Sequence, residues 1–293
     1  MVYEIHIGNV LDKIKEIESE TVDCVITSPP YYGLRNYGTT EWQIGLEETP
    51  ELYIQKMVEV FREIHRVLKP TGTVWLNIGD SYWGGKGKSN QNSPKDQEKR
   101  QNSKNKGYHQ VAGKGKTRPT DKSHDIFKPK DLMLIPHRLA IALQNDGWYL
   151  RQDIIWYKTN PMPESVKDRC TKSHEHIFML TKSKMYYFNH EENRVASTDK
   201  NSKTKAKRNR HDVWILGTKP YKEAHFAVYP PDLIEPCVLT GCPPNGVILD
   251  PFAGSGTTGG VAEKHGRNSI LIELNPEYAK LIPERISSIS LKV

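Results

Sequence analysis

An α/β fold built on a doubly wound, mostly parallel sheet is what this sequence predicts. Three observations predict it. Short apolar runs of strand type alternate along the chain with segments of helical period. The run from Val22 to Thr27 stops at Ser28-Pro29-Pro30, and the run over 246–250 stops at a glycine-rich turn, so each delivers a loop to a strand end. The 293 residues suffice to bury the core of such a sheet, and no internal repeat suggests another architecture.

Tyr3 to Ile7 reads as the first strand, closed by Gly8-Asn9, and residues 10–18 suit a helix. Val22 to Thr27 is apolar enough for a strand buried on both faces. Thr49 is a natural N-cap with Pro50 at the first helical position. Tyr53, Met57, Val60, Phe61, Ile64 and Leu68 then recur at helical spacing until Lys69-Pro70-Thr71-Gly72. A strand over 73–78 leads to the loop Gly79-Asp80-Ser81, where Asp80 suits a capping or turn role. A helix near 131–145 is stopped by Asp146-Gly147. Strands follow over 149–157 and 175–182. The last part reads as strand 246–250, a helix over about 257–265, strand 269–273, and a helix from Pro276 onward.

Two segments break this pattern. Residues 84–125 are almost free of apolar side chains, with eleven basic residues against three acids between Lys86 and Lys122. Such a segment cannot order itself by burial and is expected to be a mobile insertion. A second basic stretch has six cations and no acid between Lys200 and Arg210. The expected organisation is therefore a catalytic body of 1–83, 126–189 and 213–293 with basic insertions at 84–125 and 190–212. A net charge of +7, concentrated in these segments, suits a polyanionic partner.

No run of eighteen apolar residues predicts a membrane helix, and the first residues lack a signal-peptide pattern, so a cytoplasmic location is expected. Cys24, Cys170, Cys237 and Cys242 form no Cys-x-x-Cys pair and read as buried thiols. His174-Glu175-His176 lacks the spacing of a zincin helix, and no metal is expected.

The glycine-rich turn Asp250-Pro251-Phe252-Ala253-Gly254-Ser255-Gly256-Thr257-Thr258 follows a strand and opens a helix. Glycines 254 and 256 allow close approach of a ligand, and Glu273 ends the next strand where an acid can accept from ribose hydroxyls. Gly254, Gly256 and Gly259 also satisfy G-x-G-x-x-G, which keeps a nicotinamide or flavin oxidoreductase open on this stretch alone.

Ser28-Pro29-Pro30-Tyr31 lies where ligands bind in open α/β sheets. This corner suits one demanding chemistry. An exocyclic amino nitrogen is a poor nucleophile because its lone pair conjugates with the ring. Two pre-placed acceptors, Ser28 Oγ and the Pro29 carbonyl, can draw the nitrogen towards tetrahedral geometry and free that pair. Pro30 stiffens the corner, and Tyr31 can stack on a base taken out of a duplex.

At these residues the chain resembles the amino-methyltransferases of restriction-modification systems. Ile26-Thr27-Ser28-Pro29-Pro30-Tyr31 looks like the signature of N4-cytosine enzymes, and Asp250-Pro251-Phe252-Ala253-Gly254-Ser255-Gly256 like their AdoMet motif. N6-adenine relatives more often carry Asp-Pro-Pro-Tyr. The target motif precedes the cofactor motif, the order of the beta class. Similarity continues through Ala224-His225-Phe226-Ala227-Val228-Tyr229-Pro230, Gly241-Cys242-Pro243, Arg151-Gln152-Asp153-Ile154-Ile155-Trp156 and His174-Glu175-His176-Ile177.

The resemblance implies a Rossmann-like sheet with an antiparallel hairpin near its edge, made by 149–157 and 175–182. It implies AdoMet held by Asp250, Phe252, Gly254, Ser255, Gly256 and Thr257, with Glu273 at the ribose. Asn9 stands where many relatives carry Asp near the adenine. It also implies methylation of N4 of cytosine in double-stranded DNA, with N6 of adenine as the rival, and a cognate restriction endonuclease acting on the same site. A monomer or homodimer is expected. Lys114, Lys116, Arg118, Lys205, Lys207, Arg208 and Arg210 are candidate phosphate contacts. Tyr108-His109-Gln110 and Asn209-Arg210-His211 could reach base edges. A non-catalytic DNA-binding module would leave both motifs without a role.

Overall fold

The computed structural model describes residues 2–34, 42–84, 119–121, 123–197, 207–219 and 229–291. Lys114, Lys116, Arg118, Lys205, Tyr108-His109-Gln110 and 224–228 lie outside the described residues.

Eight strands form one sheet. They are β1 (Tyr3–Ile7), β2 (Val22–Thr27), β3 (Leu68–Ile78), β4 (Tyr149–Tyr157), β5 (His174–Thr181), β8 (Val213–Ile215), β9 (Val247–Asp250) and β10 (Asn268–Glu273). Their order across the sheet is β1-β10-β9-β2-β3-β5-β4-β8. Only β5 runs against its neighbours β3 and β4; the other pairings are parallel. The expected antiparallel pair is therefore present, and β8 stands outside it at the very edge. A separate ribbon pairs β6 (Arg194–Ala196) with β7 (Lys207–Asn209), both within the second basic segment.

The side-chain alternation of a strand explains how one sheet serves two cores. On β2, Val25 joins the core under α2 (Pro50–Val67) and α3 (Ile135–Asn145), together with Val74, Leu76, Phe178 and Leu180. Cys24 and Ile26 face the other way, with Trp75, Ile177 and Met179, under α4 (Pro231–Gly241) and α5 (Thr257–Lys264). The long helix α2 forms as its sequence predicts. Thr49 caps it by accepting from the Leu52 amide, Pro50 occupies its first turn, and Tyr53, Met57, Val60, Phe61 and Ile64 are buried.

Several boundaries moved, each for a local reason. The helix expected over 10–18 is the short α1 (Val10–Lys13) followed by a 3-10 turn over Ile14–Glu16. Arg66 of α2 takes the Ile14 and Ile17 carbonyls at 2.9 Å each, which satisfies the chain where the helix stops. Strand β3 begins at Leu68, because a register shift opposite Val22–Cys24 lets 69–72 bulge rather than end the strand. Helix α3 starts at Ile135, not near 131. Leu134 is left-handed at φ 55°, and the Asp80 carboxylate accepts the Ile135 amide at 3.1 Å. The last helix divides into α6 (Pro276–Ala279) and α7 (Ile282–Ser290), since Pro283 lacks the amide that would continue α6. Among the described residues, no helix is long and apolar enough to cross a membrane.

Candidate active site

The carboxyl ends of β2 and β9 carry the two loops singled out by sequence, and the strands are neighbours. Their junction is a buried hydrogen bond: Thr27 Oγ1 donates to Asp250 Oδ1 at 2.7 Å. Asp250 is 1% exposed and also accepts from the Phe252 amide at 3.1 Å, Thr258 Oγ1 at 2.5 Å and the Tyr229 hydroxyl at 3.1 Å. Burial raises its pKa, and these donors oppose that shift. The sequence places Asp250 among cofactor contacts. In the fold its carboxylate lies beneath the turn and holds it, while linking it to the Ser-Pro-Pro-Tyr corner.

Above Asp250 the turn reverses through Gly254 at φ +54° and Gly256 at φ +89°, conformations that side chains resist. The two glycines differ. A Cβ on Gly254 would meet nothing within 4 Å, so its outer side is open space. A Cβ on Gly256 would lie 2.8 Å from Ile282 Cγ2, so this glycine serves packing against α7. Gly259, the third match to the dinucleotide pattern, would strike Leu271 and Ile286, which is again a packing constraint. Ser255 Oγ and Thr257 Oγ1 are buried without a hydrogen-bond partner among the described residues. Orphaned hydroxyls of this kind call for a polar ligand.

Glu273, at the end of β10, accepts the Gly254 amide and the Asn275 amide at 2.8 Å each. Burial pushes its carboxyl up to about 7, with the neighbouring Asp250 charge adding to the effect. Asn9 follows β1 on the same edge, where its side-chain oxygen caps α1 by accepting from the Leu11 amide at 3.1 Å. Phe252 is partly buried on the core side of the turn.

The corner after β2 is held by side chains from four other places in the sequence. Tyr53 of α2 donates to the Pro30 carbonyl at 3.0 Å, and Pro29 is buried. The Tyr31 hydroxyl donates to Glu175 Oε2 at 2.8 Å, with Asn77 Oδ1 further away at 3.4 Å. Glu175 also accepts from Asn77 Nδ2 at 3.3 Å and pairs with Lys158, whose ammonium lies 4.4 Å from the centre of the Trp156 ring. Gly79 makes room: a Cβ there would sit 2.6 Å from Tyr31 Cε2. Ser28 Oγ lies 3.5 Å from the Tyr31 hydroxyl. Sequence reasoning missed Tyr53, Asn77, Lys158 and Glu175 as parts of this site. They lie tens of residues from the motif, and only the run His174-Glu175-His176 had drawn notice.

Other expectations sort as follows. Asp80 caps α3 and its own loop, the turn role anticipated for it. Cys24, Cys237 and Cys242 are buried, and burial pushes the Cys242 thiol up to about 12, while Cys170 is exposed. Lys207 and Arg208 lie on β7; Arg210, just beyond it, packs its guanidinium 5.5 Å from the centre of the Trp214 ring. Although no metal was expected, His137, Asp153 and His176 bring ligand atoms within 4.8 Å of one another. Of these, His176 Nδ1 is already 2.9 Å from Asp153 Oδ1.

Comparison with known proteins agrees with this site. The sequence model of the N6/N4 family, described as DNA methylase, matches residues 22–284. The chain is 46% identical over 283 residues to the type II methyltransferase M.SmaI of Serratia marcescens, covering 97% of this chain and 90% of that protein. It is 45% identical over 282 residues to M.XycI of Xanthomonas campestris pv. cyanopsidis, covering 95% and 86%. In fold it resembles the cytosine-N4-specific PvuII DNA methyltransferase, with a TM-score of 0.67 at 18% identity over 99% of this chain and 92% of that one. It also resembles a DNA modification methylase of Thermus thermophilus complexed with S-adenosyl-L-methionine, with a TM-score of 0.62 at 22% identity over 100% and 98%. With its two motif loops joined at one sheet edge and this match along nearly its whole length, the chain belongs to the N6/N4 family of DNA methylases.

Proposed function

We propose that the protein transfers a methyl group from AdoMet to the exocyclic N4 amino group of a cytosine flipped from duplex DNA, at a specific sequence, within a restriction-modification system. The observation that carries this reading is the Thr27–Asp250 hydrogen bond, which ties the corner suited to an amino group to the turn suited to a cofactor. Ser rather than Asp at the first position of the corner favours cytosine over adenine, in line with the printed specificity of the PvuII enzyme.

The residues present fit AdoMet. The open side of Gly254 offers room, Ser255 and Thr257 offer unpaired buried hydroxyls, and Glu273 offers acceptors for the ribose. Gly256 and Phe252 shape the turn, and Asn9 borders it. When bound, AdoMet supplies an activated methyl on a sulfonium. The rest is done by the chain. Ser28 Oγ and the Pro29 carbonyl accept the two amino protons and release the nitrogen lone pair. Pro30, anchored by Tyr53, keeps those acceptors from relaxing, and Tyr31 presents its ring to the base.

The body of 1–83, 126–189 and 213–293 would carry the chemistry, and 84–125 with 190–212 the DNA. Lys114, Lys116, Arg118, Lys205, Lys207, Arg208 and Arg210 would neutralise phosphates, so affinity should fall steeply with salt. Slower proteolysis of these segments on cognate duplex is expected; equal rates with and without DNA would count against the assignment. A nuclease cutting the same site is the partner this reading implies.

The decisive experiment is nucleoside analysis of unmethylated genomic DNA treated with the enzyme and labelled AdoMet. N4-methylcytosine is expected. N6-methyladenine would transfer the same machinery to the rival base, and neither product would refute the reading.

A further inference from the structure

Three groups from distant parts of the chain converge behind the corner: Glu175 of β5, Lys158 after β4 and Asn77 of β3. Their hydrogen bonds have a direction that chemistry dictates. A carboxylate can only accept, so at 2.8 Å the single Tyr31 proton goes to Glu175 Oε2 rather than to the neutral Asn77 oxygen at 3.4 Å. With its proton committed, the Tyr31 oxygen can only accept from Ser28. The Ser28 hydroxyl hydrogen then points at Tyr31, and the remaining lone pairs of Ser28 Oγ face away from it. The Ser28–Tyr31 separation of 3.5 Å is long, as such contacts often are before substrate closes the site.

Resting on the amino-methylation reading above, we propose that Glu175 is a positioning residue that acts through Tyr31 to set the polarity of Ser28. Without the carboxylate, Tyr31 is free to donate to Ser28 Oγ, which then turns its hydrogen towards the target amino group and repels it. Lys158 keeps Glu175 ionised and in place, with 13% of the Glu175 side chain exposed. Gly79 lets the chain close, since any larger residue would displace both Tyr31 and Glu175. A carboxylate is thus built into the site although it touches neither base nor cofactor.

The test is steady-state methylation of unmethylated genomic DNA by Tyr31→Phe, Glu175→Ala and the double variant, with AdoMet affinity and thermal midpoint measured alongside. Each single variant should lower kcat by about 10–100-fold, the range seen when an outer-shell partner is lost. KM for DNA and AdoMet affinity should stay within about twofold. The double variant should be no slower than the slower single one, because both cut the same chain. Effects that multiply, or a wild-type kcat in either single variant, would overturn the proposal. If Glu175→Ala fails to fold, Tyr31→Phe carries the test alone, since it removes one partly buried hydroxyl. Ser28→Ala separates the two levels of argument. If it keeps a wild-type kcat, the amino-activation reading fails. If it is inactive while Tyr31→Phe and Glu175→Ala are not, only the role of Glu175 fails.

Discussion

The two loops of the active site are built in opposite ways. The turn after β9 is made of backbone: two left-handed glycines, a buried Asp250 beneath them and one distant acid, Glu273. The corner after β2 is made of side chains gathered from α2, β3, β5 and the end of β4. A loop that presents backbone to a constant cofactor can be encoded in one short stretch. A loop that must hold a nucleobase needs hydroxyl and carbonyl acceptors fixed in direction, and that takes supports from several strands.

Exchanges at the two loops should therefore fail differently. Gly254→Val fills the open side of the turn and forces a left-handed valine, at about 1–2 kcal/mol. It should abolish AdoMet binding, and methylation with it, in equilibrium binding and turnover assays. Ser28→Ala should lower methylation on the order of 100-fold or more while AdoMet affinity holds. If both variants lost AdoMet equally, the division between the loops would collapse.

Asp250→Asn strikes the joint between them. An amide cannot accept from Thr27, Thr258, Tyr229 and the Phe252 amide together, so one buried donor loses its partner. A loss of about 1–3 kcal/mol in denaturant unfolding is expected, with AdoMet binding and turnover falling in parallel. Gly79→Ala should act on the corner alone. The added methyl displaces Tyr31, which should cost about tenfold in kcat and leave AdoMet affinity intact.

The smallest effect is one of pH, and it belongs to the cofactor side. Glu273 in the free protein titrates at about 7 because it is buried. Ribose hydroxyls donate to the ionised form, so binding favours the deprotonated carboxylate and is favoured above pH 7. AdoMet affinity should weaken by up to about tenfold from pH 8 to pH 6, as the ionised fraction falls. Isothermal titration at several pH values would check this; Glu273→Gln should bind more weakly and lose the dependence.

How far the sequence could be read followed the same division. Thr49-Pro50, the apolar spacing of α2 and the strand runs encode their elements locally, and those elements formed where predicted. Proline and glycine marked both loops, because ring closure and the missing Cβ restrict backbone wherever they occur. Helix α4, with Pro231 at its start and Pro236 inside it, was not anticipated, and neither was the three-residue edge strand β8. Both owe their existence to packing against the sheet, which overrides weak local preference.

What the sequence determined by itself was the order of elements, the identity of the two loops and the chemistry their residues can offer. Those properties reside in a few consecutive residues and their allowed dihedrals. Only the tertiary structure decided that β2 lies beside β9, that Asp250 supports the turn from below, and that Glu175 reaches Tyr31 across 144 positions. Such pairings depend on strand order and on burial from both sides of a sheet, and no spacing along the chain records them.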